Sequence, residues 1–369
     1  MRVLLFSSMP HDLNTGSPIR GRSIRQGMIE LGVDVAVVSP LLEPASRKGG
    51  EYNLHDYTSV QEALNSLIDS FAPDIIYCIT HGFLDIVSRV AKKRNVPFAV
   101  DLHGIRSLEL FSEQHSPMQF IRLFQNAIAW EKSLFNARLI TAANPMLYKW
   151  VSKILPQVRP VIGMADDSFF CHQKKTDSGK LRILYSGNMA KYQGIDIFLS
   201  ALGMLDSSIL KKVDAVVIGT IGGNGAIRDA LATAEERGLA RVAPPVGHSE
   251  FSRLLSQFDA AVIPRRASLA TYLAFPQKLV EFMSAGVYVI ASDIAPHCYA
   301  ITHGLNGYLC KATPENFARA IVACLEDKSR KSIAENARDY AVQHFSRKAQ
   351  SERIVNYLHD AVCGKYIRA

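Results

Sequence analysis

Short apolar runs rich in β-branched residues alternate along the chain with longer stretches in which apolar positions recur every three or four residues, as parallel βαβ units require. In the first half these runs predict strands at Arg2–Ser7, Val33–Ser39, Ile75–Ile79, Phe98–Leu102, Leu139–Ala142 and Pro160–Gly163, with helices such as Ser17–Leu31 and Gln61–Ser70 between them. In the second half they predict strands at Arg182–Ser186, Ala215–Gly219, Arg241–Ala243, Ala260–Ile263 and Val287–Ala291. The runs are apolar at nearly every position, which suits strands covered on both faces. The pattern stops near Met164–Lys180, where Asp166-Asp167-Ser168 gives way to Lys174-Lys175-Thr176-Asp177-Ser178-Gly179. The expected fold class is therefore α/β, with two Rossmann-like doubly wound domains facing each other across a cleft. The expected limits are 1–165 and 166–345, with a last helix in 346–369 packing back on the first domain. Doubly wound sheets bind ligands outside the carboxyl ends of their strands. That rule points to the loops after Ser7, Leu102, Ser186, Gly219, Val246 and Ile263.

The chain has 369 residues. Domains commonly run to about 100–200 residues, so the length agrees with two of them. Apolar residues make up 48% of the chain and charged residues 21%. That mix is too apolar and too weakly charged for disorder. The cysteines Cys78, Cys171, Cys298, Cys310, Cys324 and Cys363 include no Cys-x-x-Cys pair. The spacing of a zinc or redox site is thus absent. Scattered single cysteines suit a reducing compartment. The apolar run at Met1–Phe6 is shorter than the ~7–15 residues of a signal peptide, and no stretch reaches the ~20 apolar residues of a membrane helix. A cytoplasmic protein is expected. The net charge is +8 and the pI is near 9.1. Such a charge suits anionic ligands or an anionic membrane face. No basic run interleaved with aromatic residues accompanies it, so nucleic acid is not an expected partner. Lys92-Lys93-Arg94 closes a helix, where cations favour the dipole, and Arg20, Arg22 and Arg25 cannot all share one helix face.

Three glycine-bearing loops follow strands: His11–Ser17 with Gly16, Ser186-Gly187-Asn188, and Gly219–Gly225. Each would let backbone N–H groups at a helix start approach an anion, although such turns also occur for purely geometric reasons. None matches G-x-G-x-x-G or the Walker pattern, which argues against a dinucleotide dehydrogenase and a P-loop NTPase. A sharper signal is Pro276-Gln277-Lys278-Leu279-Val280-Glu281, followed by Gly286 and the apolar Val287–Ala291. Pro276 suits a helix start and Gly286 a helix end. Lys278 stands at the end of that helix where a cation is disfavoured, which makes sense if cation and helix start surround a phosphate. Glu281, on the same face one turn on, could accept the two hydroxyls of a ribose. The bland alternative is an i, i+3 surface pair worth a few tenths of a kcal/mol.

Pro276–Asp293, His303-Gly304-Leu305-Asn306-Gly307-Tyr308-Leu309, Asn336-Ala337-Arg338 and His344-Phe345-Ser346 together resemble a retaining glycosyltransferase of family 4, which has the GT-B fold. Tyr185–Asn188 through Tyr192–Asp196 resembles the loop that opens that family's nucleotide-sugar domain, and Val3–Ser7 with Gly16 resembles its amino-terminal phosphate-facing loop. The resemblance implies that Glu281 holds the donor ribose, that Lys278 faces the diphosphate, and that Val246, Gly247 and His248 contact the base. It implies that Gly16 and Ser17 close on the phosphate, and that His103 of Asp101-Leu102-His103-Gly104 stands near the transferred sugar. Without the resemblance, His103 reads as a histidine paired with Asp101 or capping the Gly104 turn. Gly187, Asn188, Lys191, Gln193, Gly219, Arg265 and Leu279 complete the expected donor site, and His103, Lys278 and Glu281 are the expected catalytic groups.

Three positions depart from the family pattern. Asn188 stands where the family has arginine, Gln193 where it has lysine, and Leu273 where the first member of a Glu-x7-Glu pair would fall. Lys191, Arg265 and Arg266 are the candidates for replacing the lost charge. The implied function is transfer of a sugar, with retention, from a UDP- or GDP-linked donor to a hydroxyl of a glycan or lipid-linked acceptor. Side-chain cations would serve instead of a metal or cofactor. The alternatives are a degenerate relative that binds without turnover and a GT-B sugar-nucleotide epimerase. Met118, Phe120, Ile121, Phe124, Ile128, Trp130 and Phe135, with Arg122, Lys132 and Arg138, read first as a core helix and second as a peripheral contact with the cytoplasmic membrane face.

Overall fold

The computed structural model describes residues 1–10, 16–40, 49–112, 115–170, 179–220 and 225–365, which fold into two compact units. His11–Thr15 of the first glycine loop, the interior 221–224 of the third, and Lys174–Ser178 of the expected boundary lie outside the described residues. Unit 1 comprises Met1–Met164, Leu273–Phe275 and Arg347–Ala369; unit 2 comprises Ala165–Tyr272 and Pro276–Ser346.

Unit 1 is built on seven parallel strands: β1 (Arg2–Ser7), β2 (Asp34–Ser39), β3 (Glu51–Asn53), β4 (Ile75–Ile79), β5 (Phe98–Leu102), β6 (Leu139–Ala142) and β7 (Val158–Pro160). Their order is β3-β2-β1-β4-β5-β6-β7, with Leu5 of β1 level with Val37 on one side and Tyr77 on the other. The order reverses between β1 and β4, and the crevice outside such a switch point is where doubly wound sheets take ligands. Val3, Leu5, Ile75, Tyr77 and Leu139 join Ile24 and Met28 of the helix Gly16–Glu30 in one core, together with Ile354, Leu358 and Ala361 of the carboxyl-terminal helix Arg347–Val362. A Cβ added at Gly27 would lie 1.9 Å from Ser351 Oγ, so those two helices meet at a residue without a side chain.

Unit 2 has six parallel strands: β8 (Leu181–Ser186), β9 (Val213–Ile218), β10 (Arg241–Ala243), β11 (Ala260–Ile263), β12 (Tyr288–Ser292) and β13 (Tyr308–Cys310), in the order β10-β9-β8-β11-β12-β13. Its switch point lies between β8 and β11. Its core gathers Ile183, Tyr185, Val217, Val262 and Ile290 with Phe198, Leu202, Phe317 and Ile321.

Two expectations shift. The strand predicted at Pro160–Gly163 is β7, which ends at Pro160. Proline cannot donate to a ladder, and beyond it Val161 N–H alone continues the pairing, to Ala142 O. The amphipathic stretch after Ser116 is a helix, Pro117–Ser133, opened by a capping box between Ser116 and Gln119, but it is not a core helix. Only Ala127 and Ser133 are buried. Phe111, Phe120 and Phe124 cluster with ring centroids 5.3–5.9 Å apart, and Met118 and Ile121 beside them are 84% and 56% exposed.

Candidate functional site

At the switch point of unit 2 the chain leaves β8 at Ser186 and turns at Gly187, whose φ is 130°. Other residues reach that conformation only with strain. The next loop presses on this turn. A Cβ at Gly219 would lie 1.9 Å from Gly187 O, so Gly219, directly after β9, must also lack a side chain. Both glycines open the backbone at the carboxyl end of the sheet.

Lys278 reaches into that opening from the second position of the helix Gln277–Ser284. Its Nζ donates to Ser186 O at 3.0 Å and lies 5.2 Å from the centroid of the Tyr185 ring. Although the side chain keeps some exposed surface, burial is the first cause that lowers its pKa, to about 7; the neighbouring Arg265 adds to this and Glu281 opposes it. Arg265 follows β11 after Pro264, is 7% exposed, donates from Nε to Gln193 Oε1 at 3.1 Å, and has its guanidinium carbon 5.9 Å from the Tyr192 ring centroid. Arg266 turns elsewhere, into a bidentate pair with Asp196 at 2.8 and 2.5 Å. The Lys191 side chain lies outside the described part of the structure.

Glu281, one turn beyond Lys278 and 6% exposed, accepts from His248 Nε2 at 3.3 Å. His248 opens the helix His248–Leu255 behind Gly247 and meets the Phe169 ring edge-on at 5.0 Å. Val246 is half-buried beside them. Leu279 is fully buried, which leaves a ligand only its backbone, while Asn188 is exposed with its Oδ1 accepting from Ala190 N. Beneath the cations lies a group that the sequence did not signal. His297 is fully buried and donates from Nδ1 to Ser292 O at 2.7 Å. Its Nε2 has no partner among the described residues, and burial, then Arg265, pushes its pKa down to about 3.

Gly16, Ser17 and His103 form a second group, in unit 1. Gly16 and Ser17 start the helix Gly16–Glu30, and His103 directly follows β5. The imidazole is held at both ends: Nδ1 is 2.7 Å from Ser17 Oγ and Nε2 is 2.6 Å from Asp101 Oδ2. Asp101 is fully buried. Burial would raise its pKa, but Arg20 and then His103 hold it well below the usual carboxylate range. Leu273, at the position of the missing glutamate, is 3% exposed and belongs to unit 1.

Among the described residues no three His, Cys, Asp or Glu side chains cluster as metal ligands would, and no helix is long and apolar enough to cross a membrane. What unit 2 offers is a half-buried ammonium and a buried guanidinium against open backbone, with a carboxylate one helix turn away: one end suits an anion and the other a diol.

Residues 168–340 match the family model described as glycosyl transferases group 1, so unit 2 carries a domain of that kind. No curated protein matches the chain. Among solved structures it resembles sucrose-phosphate synthase from Thermosynechococcus elongatus, with a TM-score of 0.77 at 15% identity over 98% of this chain and 100% of that one. It also resembles Anabaena HepE in complex with UDP-glucose, with a TM-score of 0.71 at 16% identity over 97% and 99%. A glycosyltransferase from Rickettsia africae gives 0.73 at 14% identity over 98% and 99%. The fold is that of the GT-B glycosyltransferases.

Proposed function

We propose, for a chain whose residues 168–340 match the group 1 glycosyl transferases, that it moves a sugar from a UDP- or GDP-linked donor to a hydroxyl of a glycan or lipid-linked acceptor, with retention at the sugar carbon. The observation that carries this reading is the Lys278–Arg265 pair at the carboxyl end of β8. The Lys278 ammonium donates to one carbonyl oxygen and lies against one ring face, and Glu281, one helix turn away, is the carboxylate that acts on it. A fold that desolvates a cation beside a second cation gives up stability unless a ligand supplies the anion. The diphosphate would bind Lys278, Arg265 and the open backbone at Gly187 and Gly219. The ribose would bind Glu281, and the base would lie by Val246, Gly247 and His248. HepE, with the same fold, is described in complex with UDP and with UDP-glucose, which supports a nucleotide-sugar donor here.

Catalysis on this reading is electrostatic. Negative charge grows on the departing diphosphate, and fixed cations stabilise it more in the transition state than in the bound donor. No metal or cofactor is needed, because the side chains carry the charge. Arg265, held by Gln193, takes over the charge that Asn188 and Gln193 do not supply. The exposed Met118 and Ile121 of Pro117–Ser133 and Phe111 before it, with exposed Arg122 and Lys132, suit an acceptor presented at an anionic cytoplasmic membrane face.

Calorimetric titration of the full chain with UDP, GDP and ADP tests this. One uridine or guanosine diphosphate should bind at micromolar to sub-millimolar concentration. No binding by any of them at millimolar concentration would establish the degenerate relative instead, and conversion of the donor to another sugar nucleotide without acceptor would establish the epimerase.

A further inference from the structure

We propose that unit 1 carries a ligand site of its own, a pocket at the amino-terminal end of β5 that binds a phosphate monoester through Lys92 and Arg138. The pocket has a volume of about 320 Å³ and is lined by the last turn of the helix Leu84–Arg94, the start of β5 and the segment that leads into β6. It lies at the end of the sheet opposite the switch-point crevice. Ala91, Val96, Pro97 and Phe98 give it apolar walls. Small-molecule sites run from about 300 to 1,000 Å³ and set a few polar groups among apolar ones, so this pocket suits a ligand at the small end. The site stands independently of the transferase reading.

What the polar groups still have to offer decides the ligand. Among the described residues on the wall, Lys92 and Arg138 carry charge and no carboxylate does. Neither side chain has a hydrogen-bond or ion-pair partner among the described residues, whereas Arg94, two residues after Lys92, is paired with Asp69. The dipole of the helix Leu84–Arg94 accounts for cations at its own end. It does not account for a guanidinium brought to the same pocket by the residue before β6. Ser88 is 8% exposed, and its Oγ accepts from Asn136 Nδ2 at 3.1 Å, which leaves its O–H to be donated. The carbonyls that would repel an anion are already served. Asn95 N–H closes on Ala91 O and Lys92 O, Ile76 N takes Pro97 O at 3.0 Å, and Arg138 N takes Phe98 O at 2.8 Å.

The pocket is therefore a set of donors and two positive charges with no anion of its own. Two cations match the charge of about −1.5 to −2 that a phosphate monoester carries at pH 7. A carboxylate would bring only one. The planar fork of Arg138 suits two phosphate oxygens, and the Lys92 ammonium suits the third. The Asn95 and Asn136 amides line the same pocket and both donate and accept, as sugar hydroxyls do. A phosphorylated monosaccharide offers the phosphate to the cations and its hydroxyls to the amides. None of the residues in this pocket belongs to the donor site, since Lys278, Arg265 and Glu281 are all in unit 2.

Calorimetric titration of the full chain with glucose 6-phosphate, beside glucose and inorganic phosphate, tests the site. Phosphatidate vesicles present the same monoester on a lipid. Glucose 6-phosphate should bind at sub-millimolar concentration, glucose should not bind, and saturating UDP should leave the affinity unchanged within about twofold. Arg138→Gln should weaken glucose 6-phosphate binding at least about tenfold, and Arg138→Lys, which keeps the charge without the fork, about half as much on a logarithmic scale. UDP affinity and the urea midpoint should stay at parental values, because neither cation has a partner to lose. Sedimentation with phosphatidate vesicles but not with phosphatidylcholine alone, abolished by Arg138→Gln, would assign the same phosphate to a lipid headgroup. The site is overturned if no phosphate monoester binds at millimolar concentration, in solution or on vesicles. It is equally overturned by monoester binding that Arg138→Gln leaves unmoved, or by displacement of glucose 6-phosphate by UDP, which would place the ester in the donor site. Inorganic phosphate binding as tightly as the ester would mean an adventitious ion only.

Discussion

Lys278 carries most of the consequences at the scale of single residues. Its ordinary value of 10.5 is lowered to about 7, so above pH 7 the empty protein favours the neutral amine. The penalty for charging it is full below pH 7 and is relieved as pH rises from 7 toward 10.5, over which range the empty protein should gain stability. A bound diphosphate favours the charged form. Binding above pH 7 should therefore take up close to one proton, and none near pH 6. Calorimetry in buffers of different ionisation enthalpy reads this directly, and a buffer-independent enthalpy at pH 8 would rule it out. Replacing Lys278 by methionine should remove UDP binding yet stabilise the empty chain by on the order of 1–3 kcal/mol near pH 6, seen in urea unfolding. Glu281→Ala, which costs a charged hydrogen bond to ribose worth ~1.5–3 kcal/mol, should weaken UDP binding about 10- to 100-fold. Lys278 and Glu281 were legible because three-residue spacing at a helix start places both on one face. His297 was not, because its partner is the carbonyl of Ser292, and a backbone oxygen leaves no mark on a sequence. The tie between Ser17 and His103 was equally hidden, for 86 residues separate the two.

Among elements, the central strands were readable because burial on both faces demands unbroken apolar runs. Edge strands β3 and β13 have only three residues each, and none of their residues except Asn53 is buried, so Glu51-Tyr52-Asn53 and Tyr308-Leu309-Cys310 gave no such run. The helix Pro117–Ser133 misled differently: its apolar content matched a core helix, while only Ala127 and Ser133 are buried and Met118 and Ile121 are exposed. Phe111→Ser, Met118→Ser and Ile121→Ser combined should lower sedimentation with anionic lipid vesicles at least tenfold and leave UDP affinity intact; equal sedimentation would return that face to solvent. Gly219→Ala should cost more than the ~1 kcal/mol at which single substitutions centre. The new methyl would meet the carbonyl of Gly187. A parental urea midpoint for that protein would show that the loop can move aside.

For the whole molecule, two units of the same parallel architecture each bury one histidine that is kept neutral. His81 of unit 1 is pushed down to about 4 by burial, then by His103 and Arg106, and His297 of unit 2 to about 3. A depressed histidine contributes stability that is present above its unfolded value and fades as pH falls through that value toward the folded one. Both units should therefore weaken together from about pH 6.5 downward, by on the order of 1.4 kcal/mol per pH unit for each histidine. Urea midpoints measured at pH 7.5 and pH 5 check this, and a flat profile would contradict it. The doubly wound architecture was legible because strand–helix alternation admits few topologies. The switch points followed from the same rule, and they located the carboxyl ends of β8 and β11 before any side chain was placed.

A crystal structure of the full chain grown with UDP tests the donor site most directly. The diphosphate should lie within hydrogen-bonding distance, about 2.7–3.2 Å, of Lys278 Nζ, with Arg265 beside it and the ribose hydroxyls on Glu281. Diphosphate bound away from Lys278, or a ribose that leaves Glu281 with His248 as its only partner, would contradict the assignment.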